Sequence, residues 1–232
     1  GTQTTVEATQ PVMGEGEWST TGTAVFTSPS QTETEVTDLK QGPNTLTWSV
    51  TSEHCNAVNT AQLVVTNNNP DAADAGNDDE VCSNTYTLKA NNPVFGTGSW
   101  TSAEGATFSN VNAYNATVDL ASGDNHLTWT ISNGSCTPTS DEVVIRNNIP
   151  TQAEAGEDVT VCQNSMNLSA NTPDVGTGQW SSDEATFADA TSPTSNVSLA
   201  PGANYLTWTI TSDVCTPSSE TILVYNSKPT TP

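Results

Sequence analysis

Six tryptophans fall into two series, Trp18, Trp100, Trp180 and Trp48, Trp129, Trp208, and each series recurs at about eighty residues. A fixed period of that length makes the chain an array of one small folded unit rather than a single large core. The first series is preceded by PVMGEGEW, PVFGTGSW and PDVGTGQW, which align Gly14, Gly96, Gly176 and Gly16, Gly98, Gly178. The second lies in LKQGPNTLTWSVT, LASGDNHLTWTIS and LAPGANYLTWTIT. On this basis the chain divides into repeat 1 (1–69), repeat 2 (70–149) and repeat 3 (150–232), with all six tryptophans at equivalent core positions.

Apolar residues within a copy alternate with Thr or Ser, which is the period of strands and not of helices. Leu127, Trp129 and Ile131 share one face of a pleat, and His126, Thr128 and Thr130 share the other, so the tryptophan face is the core face. The Leu-x-x-Gly-x-Asn-x-Leu run before this strand supplies a glycine for a positive φ and an Asn able to bond nearby backbone, the chemistry of a corner between packed sheets. Repeat 1 carries one residue more between Phe26 and Leu39 than repeat 2 does between Phe108 and Leu120, which calls for a β-bulge near Thr37 to keep Val36 in line with Val118 and Val197. Six or seven short strands per copy, with turn signals every eight to twelve residues, predict an all-β chain of three tandem immunoglobulin-like β-sandwich domains in an extended rod. A small barrel is the alternative.

Each copy also holds cysteines at fixed places. Cys55, Cys136 and Cys215 each follow a second-series tryptophan by seven residues, and Cys82 and Cys162 each precede a first-series tryptophan by eighteen. Counting back eighteen from Trp18 lands one residue before Gly1. The expectation is therefore one staple per copy: Cys82–Cys136, Cys162–Cys215, and Cys55 with a cysteine upstream of Gly1, the alternative for Cys55 being a free buried thiol. Such staples suit small cores.

Four basic residues against 26 acidic ones give a net charge of −22. That charge repels phosphate backbones and anionic membrane surfaces, which sets aside nucleic acid and direct membrane insertion. No run of about 18 apolar residues is present. Gly1 opens no export-signal pattern, so targeting information is expected elsewhere in a longer polypeptide.

The copies meet at Asn67-Asn68-Asn69-Pro70 and Asn147-Asn148-Ile149-Pro150. Joints this short, each closed by proline, predict a semi-rigid array rather than a floppy tether. After them come the acidic runs Asp71, Asp74, Asp78, Asp79, Glu80 and Glu154, Glu157, Asp158. Carboxylates gathered at a hinge could supply the six to eight oxygens calcium takes, although the spacing matches no EF-hand loop; a solvated acidic patch is the bland reading.

No catalytic constellation stands out. His54 and His126 do not recur between copies, and the pair His54-Cys55 has no counterpart beside Cys136 or Cys215, so a zinc site fits the array worse than a disulfide does. Asp183 and Glu184 follow a core strand, but nothing marks them as a glycosidase pair. The GTG at Gly96 and Gly98 precedes a strand, not a helix N-terminus, and reads as a pair of turn glycines rather than a phosphate cradle. Tyr114, Tyr205 and Tyr225 remain as surface aromatics that could stack on sugars.

The phrases AGNDDEVC, GTGSW, LTWTISNGSC and DEVVI, with AGEDVTVC, GTGQW, LTWTITSDVC and ETILV, resemble tandem Ig-like/PKD-like repeats of large Bacteroidota cell-surface adhesins. The likeness spans essentially the whole chain, but the Trp-Asp-Phe-Gly-Asp-Gly signature of standard PKD domains is missing. The resemblance implies an extracellular, cell-surface location, export by the type IX system, gliding-motility or filament proteins as kin, and no catalytic residues. The function expected is a structural stalk that projects a functional tip, with neighbouring repeats of the same chain as partners. Polysaccharide or surface-polymer binding, and self-association into a fibre, are the alternatives.

Overall fold

The computed structural model describes residues 1–52, 57–212 and 214–229. Repeat 1 contains β1 (Thr4–Glu7), β2 (Glu15–Thr20), β3 (Val25–Phe26), β4 (Glu33–Thr37), β5 (Gly42–Thr51) and β6 (Val58–Asn67). Repeat 2 contains β7 (Asp79–Val81), β8 (Thr85–Thr87), β9 (Thr97–Ser102), β10 (Thr107–Phe108), β11 (Thr117–Asp119), β12 (Gly123–Ser132) and β13 (Thr139–Asn147). Repeat 3 repeats that order as β14 (Val159–Val161), β15 (Ser165–Asn167), β16 (Thr177–Ser181), β17 (Thr186–Phe187), β18 (Asn196–Ser198), β19 (Gly202–Thr211) and β20 (Ser218–Asn226). Among the described residues no helix is long and apolar enough to cross a membrane.

In repeats 2 and 3 a four-stranded sheet, β7-β13-β12-β9 or β14-β20-β19-β16, faces a three-stranded one, β10-β11-β8 or β15-β18-β17. Repeat 1 pairs β2-β5-β6 with β1-β4-β3. These are immunoglobulin-like sandwiches, two sheets closing on the alternating inner residues of each strand. Two such sheets leave one apolar layer per repeat, and three separate hydrophobic clusters result.

The two tryptophan series meet in each core. Trp18 lies opposite Trp48, Trp100 opposite Trp129 and Trp180 opposite Trp208 across adjacent strands. Their ring centroids are 5.2, 5.0 and 5.2 Å apart, and Phe26, Phe108 and Phe187 stack on the first-series ring from the other sheet. All six indoles are buried. Aromatic pairs at this spacing contribute about 0.5–1.5 kcal/mol beyond the area they bury.

The glycine pair before each first-series tryptophan divides its work, which corrects the reading of both as turn residues. Gly14, Gly96 and Gly176 do sit at φ of +89°, +117° and +96° in the turn. Gly16, Gly98 and Gly178 are strand residues, and a Cβ on them would come within 2.0, 1.9 and 2.1 Å of Cζ2 of Trp48, Trp129 and Trp208. The second indole lies flat over bare backbone.

The corner asparagines behave alike in every copy. Buried Asn125 accepts from the Ala121 N–H at 2.9 Å and donates to the carbonyls of Ala121, Gly123 and Ile145 at 3.0, 3.0 and 3.2 Å. Asn44 and Asn204 make the same four bonds. The extra residue of repeat 1 is absorbed just past Thr37, where Asp38 adopts φ +54°; Val36 therefore stays opposite Phe26 as Val118 stays opposite Phe108.

Candidate functional site at the joint between repeats

Position within a repeat is set by strand direction. β7 pairs in parallel with the end of β13, placing Asp79 opposite Ile145 and Val81 opposite Asn147. Cys82, the next residue, thus emerges at the C-terminal end of repeat 2. Cys136 lies in the turn between β12 and β13, at the other end of the same nine-residue strand. At about 3.4 Å per residue those ends are roughly 27 Å apart, whereas a disulfide needs Cα atoms about 4.4–6.8 Å apart. The expected Cys82–Cys136 and Cys162–Cys215 bonds are therefore geometrically excluded.

The bond that forms is Cys82–Cys215, with a Cα–Cα distance of 5.6 Å, and it crosses from repeat 2 to repeat 3. Cys215 sits in the turn between β19 and β20, at the N-terminal end of repeat 3. Cys136 and Cys162 are free thiols. Cys55 and His54 lie outside the described residues, so the expected upstream bond of Cys55 does too.

Around the staple the joint is tied by polar groups. Asn147 accepts the Ile149 N–H on its Oδ1 at 3.1 Å, and Asn67 accepts the Asn69 N–H at the same distance. Arg146 Nε donates to Asn148 Oδ1 at 2.8 Å, and Asn148 Nδ2 donates to Glu80 Oε2 at 2.9 Å. Ser212 of repeat 3 donates its hydroxyl to the Asn148 carbonyl at 2.6 Å. Pro70 and Pro150 are buried. At the first joint Gln41 donates to the Asn69 carbonyl at 2.7 Å, and the Phe95 ring lies so close to Gly42 that a Cβ there would be 3.0 Å from it.

The acidic run does not converge on a cation. Among the described residues no group of three His, Cys, Asp or Glu side chains is placed to hold one. Most of these carboxylates instead satisfy hydrogen-bond donors, each at a different place. Asp71 accepts from the Val94 and Phe95 N–H groups at 2.6 and 3.0 Å, and the Phe95 bond leads the effects that hold its carboxyl below the ordinary value. Asp74 accepts from Gly76, Asp78 from Val144 and Asp158 from Leu223. Asp79 accepts the Tyr86 hydroxyl at 2.8 Å, which lowers its pKa, and faces Lys89 Nζ at 3.8 Å. Glu80 is engaged by Asn148 as above. Glu154 and Glu157 are exposed. Acidic residues are dense here because the segment crosses between the two sheets and leaves edge N–H groups for side chains to accept from.

Elsewhere, His126 Nδ1 lies 3.3 Å from Glu142 Oε1, on the outer face of β12, and that contact leads the effects that raise its pKa above 6.5. A cleft of about 650 Å³ in repeat 3 is lined by Pro173, Gly178, Thr191, Pro193 and Trp208 and carries no ionisable side chain. Tyr205 and Tyr225 are 55% and 47% exposed and share the outer face of β19 and β20; Tyr114 is 39% exposed in repeat 2.

The fold places the chain among tandem immunoglobulin-like proteins. No family model matches it, and no curated protein matches it. Among solved structures, the crystal structure of Dpr2 Ig1-Ig2 in complex with DIP-Theta Ig1-Ig3 matches at a TM-score of 0.51 with 12% identity, covering 91% of this chain and 89% of that one. Sidekick-1 immunoglobulin domains 1-5 match at 0.36 with 10% identity over 97% of this chain and 57% of that one. Mouse Cadherin-23 EC22-24 matches at 0.37 with 12% identity over 97% and 90%. At these identities the likeness is one of fold.

Proposed function

We propose that the chain is a spacer: a stretch of stalk from an extracellular surface protein of the adhesin or filament type, whose repeats hold a functional tip away from the cell. The observation that carries this reading is the covalent link Cys82–Cys215 across a joint. A disulfide that persists belongs to an oxidising compartment. Placed between domains, it removes bending freedom while packing into neither core, which is of use to a rod and of little use to an enzyme.

Two further features support it. The residues shared by all copies, namely the tryptophan pairs, the flat glycines and the corner asparagines, are all scaffold. The joints are short; the second is tied by Asn147, Asn148 and Ser212 and the first by Asn67 and Gln41. The resemblance to tandem repeats of Bacteroidota surface adhesins suggests the finer identity: a type IX secretion substrate related to gliding-motility proteins.

Small-angle scattering tests the spacer. Three sandwiches end to end, each about 34 Å along its longest strand, give a rod of roughly 100 Å and a radius of gyration of roughly 30 Å. A compact globule of this length would have about 17 Å. A value near the latter overturns the reading.

A second reading rests on Tyr205 and Tyr225, two exposed aromatics on one face of repeat 3. Such a face can stack on sugar rings. Binding of the chain to a surface polysaccharide on a glycan array, lost on Y205A/Y225A, would favour it.

A further inference from the structure

We propose that the cross-joint staple is periodic: Cys162 is a half-staple that bonds the second cysteine of another repeat of this type, seated head to tail on the C-terminal end of repeat 3. The proposal rests on the spacer reading and deepens it, since it names the partner that each repeat end recognises.

Cys162 and Cys82 have matching surroundings. Cys162 follows β14 as Cys82 follows β7, and the two strands pair in parallel with β20 and β13 in the same register: Val159 opposite Val224 and Val161 opposite Asn226, against Asp79 opposite Ile145 and Val81 opposite Asn147. The Ser227 N–H donates to the Val161 carbonyl at 2.8 Å, as the Asn148 N–H donates to that of Val81 at 2.8 Å. Asn226 accepts the Lys228 N–H at 3.0 Å, as Asn147 accepts that of Ile149. Backbone, exit turn and cysteine are thus the same at both ends, and one of the two is bonded to the next repeat. Cys162 is exposed, with Sγ 3.3 Å from the Ser227 hydroxyl. Its own repeat holds no reachable partner, because Cys215 lies at the opposite end of β20 and is already engaged.

Cys136 is the complementary half. It occupies the turn between β12 and β13 that Cys215 occupies between β19 and β20, facing the first joint. The array is therefore polar: a first cysteine always points forward, and a second always points back.

The bond forms by thiol–disulfide exchange. The Cys162 thiolate attacks glutathione disulfide and releases one glutathione thiolate; the second cysteine of the incoming repeat then attacks the mixed disulfide at Cys162 and releases the other glutathione. Two protein thiols are oxidised and one glutathione disulfide is reduced to two thiols, with the two protons passing to the released glutathiones.

The test is the full chain extended after Pro229 by a further copy of residues 151–229, so that Pro229 takes the place of Pro150. The extended chain is oxidised in a glutathione buffer that keeps Cys82–Cys215 closed, then mapped by mass spectrometry without reduction. The expected result is a peptide joining Cys162 to the second cysteine of the added copy, with loss of iodoacetamide labelling at Cys162. Labelling should return when the added copy's second cysteine is replaced by serine. Full labelling of Cys162 in the extended chain, a bond from Cys162 to Cys136, or a dimer joined through Cys162 on a non-reducing gel would each overturn the proposal. Scattering from the same sample reports separately on the rod, so the spacer reading can survive or fail independently.

Discussion

A Cβ on Gly98 would lie 1.9 Å from Cζ2 of Trp129, so the indole of one strand occupies the volume that any other residue at position 98 would claim. The same contact recurs between Gly16 and Trp48 and between Gly178 and Trp208. The repeat thus fixes two residues as one packing unit.

Gly98→Ala forces the Trp129 ring out of its place against Trp100. Overpacking of this kind costs about 1–3 kcal/mol, and a 60–100-residue domain loses about 4–8 °C of Tm per kcal/mol. Calorimetry should show the transition of repeat 2 shifted downward. Gly22→Ala is the control: φ there is not left-handed and the nearest atom would be 3.5 Å away, so its Tm should hold.

Asn125→Ala leaves the Ala121 N–H and three carbonyls without the side chain that pairs them. Stranding buried polar groups costs about 1–3 kcal/mol. Urea unfolding should give a lower midpoint at an unchanged slope. Asn44→Ala and Asn204→Ala should match it.

Cys215→Ser opens a link that spans 133 residues of chain. Chain entropy for a loop of that length is roughly 5 kcal/mol, and the loss should fall on the two repeats that the bond joins. Hydrogen exchange read by peptide should show protection falling in β12 and β19 while β5 is unchanged. Equal loss in β5 would contradict a staple confined to the second joint.

His126 has a raised pKa, chiefly through its contact with Glu142. A group whose folded pKa is raised stabilises the fold fully below its unfolded value and loses that contribution as pH rises through the folded value. The His126 contribution is therefore present below about 6.5 and fades above it. Proton NMR titration should place its midpoint above 6.5, and Glu142→Gln should bring it down. An unmoved midpoint in the variant would remove Glu142 as the cause.

Much of this was open to reading from the residues. The burial of the face carrying Leu127, Trp129 and Ile131 follows from the alternation of apolar and polar residues, because strand periodicity is local. Three of the four bonds of Asn125 were foreseeable because those partners, Ala121 and Gly123, lie within four residues on one side, whereas the bond to Ile145 depends on strand pairing. The role of Gly98 was less so: spacing marks a glycine but not what lies above it. The acidic run was legible as a cluster in sequence, yet Asp71, Asp78 and Asp79 serve different donors, because a segment crossing between sheets spreads its side chains apart.

The sequence by itself determined the repeat, the all-β sandwich, the tryptophan cores and the number of cysteines, since each depends on short-range pattern repeated in every copy. Only the tertiary structure decided which cysteine meets which. Cys82 and Cys136 share a repeat, but the parallel pairing of β7 with β13 carries Cys82 to the far end, a full strand length from Cys136 and within 5.6 Å of Cys215 in the next repeat. Spacing along a chain records position in the repeat; strand direction, which no spacing records, decides the end of the sandwich at which a residue emerges.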